Sequence, residues 1–129
     1  MKEKILIVDF GSQYSQLIAR RIREMEVYCE IVPAIDIDNI KSGKEKVRGI
    51  IFSGGPASVY EKDSPTVDKA VFDLEIPILG ICYGMQLITH LNGGKVEKAE
   101  SREFGKAILE VIDGQNPLLL DIPKTSSIW

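Results

Sequence analysis

The sequence predicts a doubly wound α/β fold, a mostly parallel sheet with helices on both faces. Two observations carry that expectation. Runs rich in Ile, Leu and Val at Lys4 to Asp9, Gly49 to Ser53 and Pro77 to Ile81 are continuous rather than alternating, as strands covered on both faces are. Between them, apolar residues recur at three- and four-residue steps, the spacing of amphipathic helices.

The elements follow in chain order. Lys4 to Asp9 (KILIVD) is the first strand, and Tyr14, Leu17, Ile18, Ile22 and Met25 mark a helix with Ser12 as its N-cap. Val27 to Pro33 (VYCEIVP) reads as the next strand, followed by a short charged helix over Ile35 to Lys46. Gly49 to Ser53 (GIIFS) is a third strand. A helix over Thr66 to Leu74 follows, with Asp63 and Ser64 ahead of Pro65 as its start signals. Pro77 to Ile81 (PILGI) is a central strand that runs into a further helix. Beyond Gly93 and Gly94, Lys95 to Lys98 and Ala107 to Val111 read as strands, and Gln115 to Trp129 has little period. Residues 1–129 are read as one domain, long enough to bury a core.

Composition excludes several classes of function. With 16 Lys and Arg against 19 Asp and Glu, the net charge of -3 leaves no basic stripe to neutralise nucleic-acid phosphates. The apolar run near the N-terminus ends at Asp9, too short for a signal-peptide core or a membrane span. Two cysteines without a C-x-x-C pair, and one histidine, fit a reducing cytoplasm and offer no metal cluster.

In sheets of this kind the chemistry sits in loops beyond the carboxyl ends of the strands. Three loops qualify: Phe10-Gly11-Ser12-Gln13, Ser53-Gly54-Gly55-Pro56 and Cys82-Tyr83-Gly84. The last has the pattern of a nucleophile elbow. A sharp strand-to-helix turn with a reactive side chain at its tip needs small residues two before and two after, and Gly80 and Gly84 meet that need. The turn places the Cys82 sulfur at a helix N-terminus, where unpaired N–H groups and the helix dipole favour a thiolate. Cys82 is the candidate nucleophile, whereas Cys29 sits inside a strand without such glycines and reads as a packing residue. Oxyanion donors would be the backbone N–H of Tyr83 and one from the Ser53 to Pro56 loop. That loop is not a phosphate cradle: there is no G-x-x-x-x-G-K-[ST], and Pro56 removes an N–H. A cysteine hydrolase and a non-catalytic ligand-binding or docking module both remain compatible with these residues.

Gly80-Ile-Cys-Tyr-Gly-Met-Gln86, preceded by Ser53-Gly-Gly-Pro56 and opened by Asp9-Phe-Gly-Ser-Gln-Tyr14, closely resembles the class I, or triad, glutamine amidotransferases. Within that class, the opening motif together with Arg102-Glu-Phe-Gly105 is similar to the glutaminase domains of the GMP synthetase branch. The resemblance covers essentially the whole chain. It implies that Cys82 attacks the side-chain amide of glutamine, that Tyr83 and Gly55 form the oxyanion hole, and that Gln86 helps hold the substrate. It implies no cofactor for this chain; ATP and Mg belong to the partner it implies, a synthetase domain or subunit. The class completes its triad with a His and a Glu from a His-Pro-Glu motif, which these residues do not contain. The one histidine, His90, lies eight residues past Cys82, roughly 12 Å along a helix axis, and reads as a half-buried helix residue rather than a base. The chain is therefore expected to be the N-terminal part of such a glutaminase.

Overall fold

The computed structural model describes residues 3–11, 13–34, 40, 46–55, 59, 62–97 and 107–128. They fall into two compact units, Met1–Glu97 and Lys98–Trp129. The first unit runs β1 (Lys4–Asp9), α1 (Ser15–Glu24), β2 (Cys29–Pro33), β3 (Val47–Phe52), a 3-10 helix (Lys69–Leu74), β4 (Ile78–Gly80) and α2 (Tyr83–Leu91). Its four strands are all parallel, in the order β2-β1-β3-β4.

The continuous apolar runs have the cause expected of them. Along β1, Leu6 and Val8 enter one core with Ile50, Phe52, Tyr83 and Leu87, and Ile7 enters a second with Ala19, Ile22 and Cys29. One face of the sheet is thus covered by α2 and the other by α1, so neither parity of side chain meets water. Ten residues of isolated helix would be marginal in water, so α1 depends on this packing. Its buried face is Ser15, Ala19 and Ile22, with Ile18 packed beside them. Tyr14, Leu17 and Met25, part of the apolar stripe in the sequence, are exposed. No side chain caps the helix at Tyr14, and Ser12 lies outside the described residues.

Four further expectations are revised. Residues 64–68 are extended, not helical, because the Tyr83 hydroxyl donates to the Pro65 carbonyl and holds that stretch against α2. The helix begins only at Lys69, where Asp68 accepts from the Ala70 N–H at 2.9 Å, and so short a run closes as a 3-10 helix. Lys95 to Glu97 form no strand. Lys95 and Glu97 pair with each other at 2.8 Å in solvent, and Val96 alone packs on the core. Of the charged helix expected over Ile35 to Lys46, all but Ile40 and Lys46 lies outside the described residues, as does Lys98; Ile40 is buried in the core.

In the second unit β5 (Ala107–Glu110) pairs antiparallel with β6 (Thr125–Ile128), Ala107 opposite Ile128 and Glu110 opposite Thr125. The weak period of the tail follows from exposure: Ile108, Ile112 and Leu118 are all exposed, so no buried face imposes alternation. A 3-10 turn at Pro117–Leu119 is capped by Asn116, which accepts from the Leu118 N–H at 3.0 Å.

One contact fixes where α2 crosses the sheet. A Cβ on Gly84 would lie 2.2 Å from the Phe52 carbonyl oxygen and 2.6 Å from its Cβ, so the helix can approach β3 only through a glycine. Both neighbours belong to a fully buried strand residue and cannot move aside. Gly84→Val is expected to destabilise the fold by about 3 kcal/mol or more. A melting temperature equal to wild type would show that the crossing tolerates a side chain.

Candidate active site

The order β2-β1-β3-β4 reverses between β1 and β3, the point at which open α/β sheets form a ligand crevice beyond their carboxyl ends. The loops that leave β1, β3 and β4 supply the groups there.

At the end of β4, Cys82 is exposed and has φ 52° and ψ -112°, a positive φ that a side chain adopts only under constraint. Holding it costs about 1–3 kcal/mol, and the surroundings supply the restraint. The Ile81 N–H donates to the Phe52 carbonyl at 3.0 Å, and the Gly84 N–H reaches the Ser53 and Ile81 carbonyls at 3.2 and 3.0 Å. The Gln86 N–H closes the first helical turn on the Cys82 carbonyl at 3.2 Å. At Gly80 a Cβ would stand 2.7 Å from both N and Cα of Met85. Both glycines are therefore required by steric closeness, and the sulfur is left at the tip.

Two main-chain donors are open. Tyr83 is the first residue of α2, so its N–H has no intrahelical acceptor. Its side chain is buried, tied to Pro65 and packed 5.4 Å from the Phe10 ring. The Gly55 N–H makes no hydrogen bond among the described residues. Gly55 sits so close to the β1 loop that a Cβ would fall 2.5 Å from the Phe10 carbonyl oxygen. Gln86 is on α2, one turn past the cysteine, and its Oε1 accepts from the Val59 N–H at 3.3 Å.

The sequence pointed to these residues but not to those that hold them. Asp9 accepts from the Gly11 N–H at 2.8 Å and from the Ser15 hydroxyl at 3.1 Å, which shapes the turn between β1 and α1. Ser53 is fully buried, its Oγ accepting from the Phe10 N–H at 3.3 Å and donating to the Gly54 carbonyl at 3.1 Å. A serine between an apolar strand and two glycines was the one available signal. Pro56 and the Arg102 to Gly105 motif lie outside the described residues.

Cys29 is buried and donates to the Ala19 carbonyl at 3.5 Å, as a packing residue does. His90 is exposed rather than half-buried, since it occupies the solvent side of the last turn of α2. No group of His, Cys, Asp and Glu among the described residues could hold a metal ion. The shifted titrating groups lie at the opposite end of the sheet. There Tyr28 donates to Glu30 at 2.7 Å, which lowers the carboxyl, helped by Lys4, and raises the phenol. No described helix is long and apolar enough to cross a membrane.

Comparison with known proteins gives a consistent answer. The family described as glutamine amidotransferase class-I matches residues 6–129. The glutamine-hydrolysing GMP synthase of Fusobacterium nucleatum is 57% identical over 129 residues, covering 99% of this chain and 25% of that protein. That of Heliobacterium modesticaldum is 60% identical over 116 residues, 89% of this chain and 22% of that protein. The chain thus spans about a quarter of the length of these relatives. The crystal structure of a GMP synthase subunit from Thermoplasma acidophilum superposes with a TM-score of 0.82 at 35% identity, covering 100% of this chain and 64% of that one. The elbow cysteine, the glycine-rich loop and the parallel sheet that carries them belong to one lineage, and the chain is a member of the class-I glutamine amidotransferase family.

Proposed function

We propose that this chain is the glutaminase portion of a GMP synthase, releasing ammonia from glutamine for the amination of xanthosine monophosphate by a synthetase domain or subunit. The observation that carries the reading is the constrained, exposed Cys82 at the start of α2, flanked by open N–H groups. Its support in narrowing the class is an identity of 51% to 60% with proteins named as glutamine-hydrolysing GMP synthases.

In this reading the Cys82 thiolate adds to the side-chain amide carbon of glutamine. A C–S bond forms, and negative charge develops on the former amide oxygen. The N–H groups of Tyr83 and Gly55 receive that charge, and one such donor is worth about 10²–10³ in rate. Collapse breaks the C–N bond, the nitrogen takes up a proton and leaves as ammonia, and a thioester remains on Sγ. Water then adds to the thioester carbon, glutamate departs and the thiolate returns. Gln86 holds the substrate through its Nε2, since its Oε1 is committed to Val59. The synthetase part, with ATP and Mg, consumes the ammonia.

Protonating the amine and activating water call for general acid-base help, worth typically about 10²–10⁴. His90 is exposed at the far end of α2, roughly 12 Å along the axis from Cys82, and does not reach it. In the family these steps fall to the His and Glu of the His-Pro-Glu motif.

Two outcomes are expected. Iodoacetamide should label Cys82 in the folded protein much faster than Cys29, read by peptide mass spectrometry; faster labelling of Cys29 would remove the nucleophile assignment. The 129-residue chain should release no ammonia from glutamine above a Cys82→Ala control, whereas a chain extended through the His-Pro-Glu motif should hydrolyse it. Cys82-dependent ammonia release from residues 1–129 alone would mean that another base serves the site.

A further inference from the structure

We infer that Ser53 is a positioning residue of the oxyanion hole, its buried hydroxyl setting the direction of the Gly55 N–H. The inference rests on the reading of Cys82 as an acyl-transfer nucleophile. It adds a residue whose side chain touches neither substrate nor sulfur.

Every polar group of Ser53 is occupied. Its N–H donates to the Val8 carbonyl at 3.1 Å, and its carbonyl accepts from the Gly84 N–H at 3.2 Å. Its backbone is thereby pinned between β1 and the first turn of α2. The side chain has no solvent exposure. Its Oγ accepts from the Phe10 N–H at 3.3 Å, which leaves the hydroxyl hydrogen for the Gly54 carbonyl at 3.1 Å.

That last bond reaches the site through peptide geometry. The described chain contains no cis peptide bond, so the Gly54 carbonyl and the Gly55 N–H lie in one plane and point in opposite directions. A carbonyl drawn towards a buried hydroxyl turns its partner N–H the other way, out of the core. Two successive glycines have the widest backbone freedom of any pair, so their own torsions do not fix this plane. Nor can the loop simply retreat, because Gly55 already lies against the Phe10 carbonyl with no room for a Cβ. Removing the hydroxyl would free the plane while leaving Cys82, its strained turn and its exposure in place.

The test separates the hole from the nucleophile. A chloromethyl ketone analogue of glutamine is attacked at its carbonyl, passes through an oxyanion, and ends as a thioether after chloride leaves. Iodoacetamide loses iodide by direct displacement at carbon and forms no oxyanion. Rates of Cys82 labelling by both probes are measured on the 129-residue chain for wild type, Ser53→Ala and Ser53→Thr, with melting temperatures. Ser53→Ala is expected to slow the ketone by about tenfold or more, short of the roughly 10²–10³ for a donor lost outright, with the iodoacetamide rate unchanged. Ser53→Thr, which keeps the hydroxyl, should restore most of the ketone rate. Unchanged ketone labelling in Ser53→Ala overturns the inference. So does an equal fall with both probes, or a melt lost in both variants, since either makes Ser53 a packing residue only. If wild type itself shows no preference for the glutamine-like ketone over a chloromethyl ketone lacking the amino acid moiety, the glutaminase reading fails first, and the Ser53 inference falls with it.

Discussion

Most of the site's geometry traces to one close approach, that of α2 to the end of β3. The Phe52 carbonyl lies where a Gly84 side chain would be and also accepts the Ile81 N–H. Those two facts force the chain to turn between Ile81 and Gly84, and Cys82 takes its positive φ as the remainder. Phe52 can serve as the anvil because it is immobile, with no exposure and with its ring against Phe10 and Phe72. The energy that holds the strained cysteine therefore comes from the core beneath it, where each large side chain contributes about 1.5–3 kcal/mol by burial.

Much of this was legible in the residues. β1 was legible to its ends, since both its faces are buried and the apolar run has to be unbroken. The elbow was legible because Gly80 and Gly84 meet steric demands that no other residue satisfies. What escaped was decided by single polar contacts between distant segments. The extended stretch before Lys69 depends on a hydroxyl from Tyr83, some way further along the chain, which local propensity cannot register. Ser53 reads as turn chemistry in sequence, and its importance shows only when Val8, Phe10 and Gly84 are seen around it. The hairpin of β5 and β6 was half visible, because exposed strands have no buried face to impose a pattern.

The sheet also separates two kinds of electrostatics. At the carboxyl ends the described loops act through main-chain N–H groups, at a position where helix and strand ends leave donors open. At the amino ends, full charges pair off: Lys4 with Glu30 at 3.1 Å, and Arg48 with Glu3. Such exposed pairs contribute little to stability. They keep net charge away from a site whose work is to stabilise a transient oxyanion with fixed dipoles.

The parallel order β2-β1-β3-β4 has a kinetic side. β1 lies between β2 and β3, and its pairing with β3 joins Val8 to Phe52 across more than forty intervening residues. Loop closure over that distance is slow compared with forming α1 or α2. The Phe10 loop meets Ser53 only through that closure, and α2 finds the Phe52 carbonyl only on a β3 already seated in the sheet. The reactive cysteine consequently acquires its geometry in the last, most cooperative step of folding. A newly made or partly unfolded chain carries Cys82 as an ordinary thiol, with no half-built site that could act out of turn.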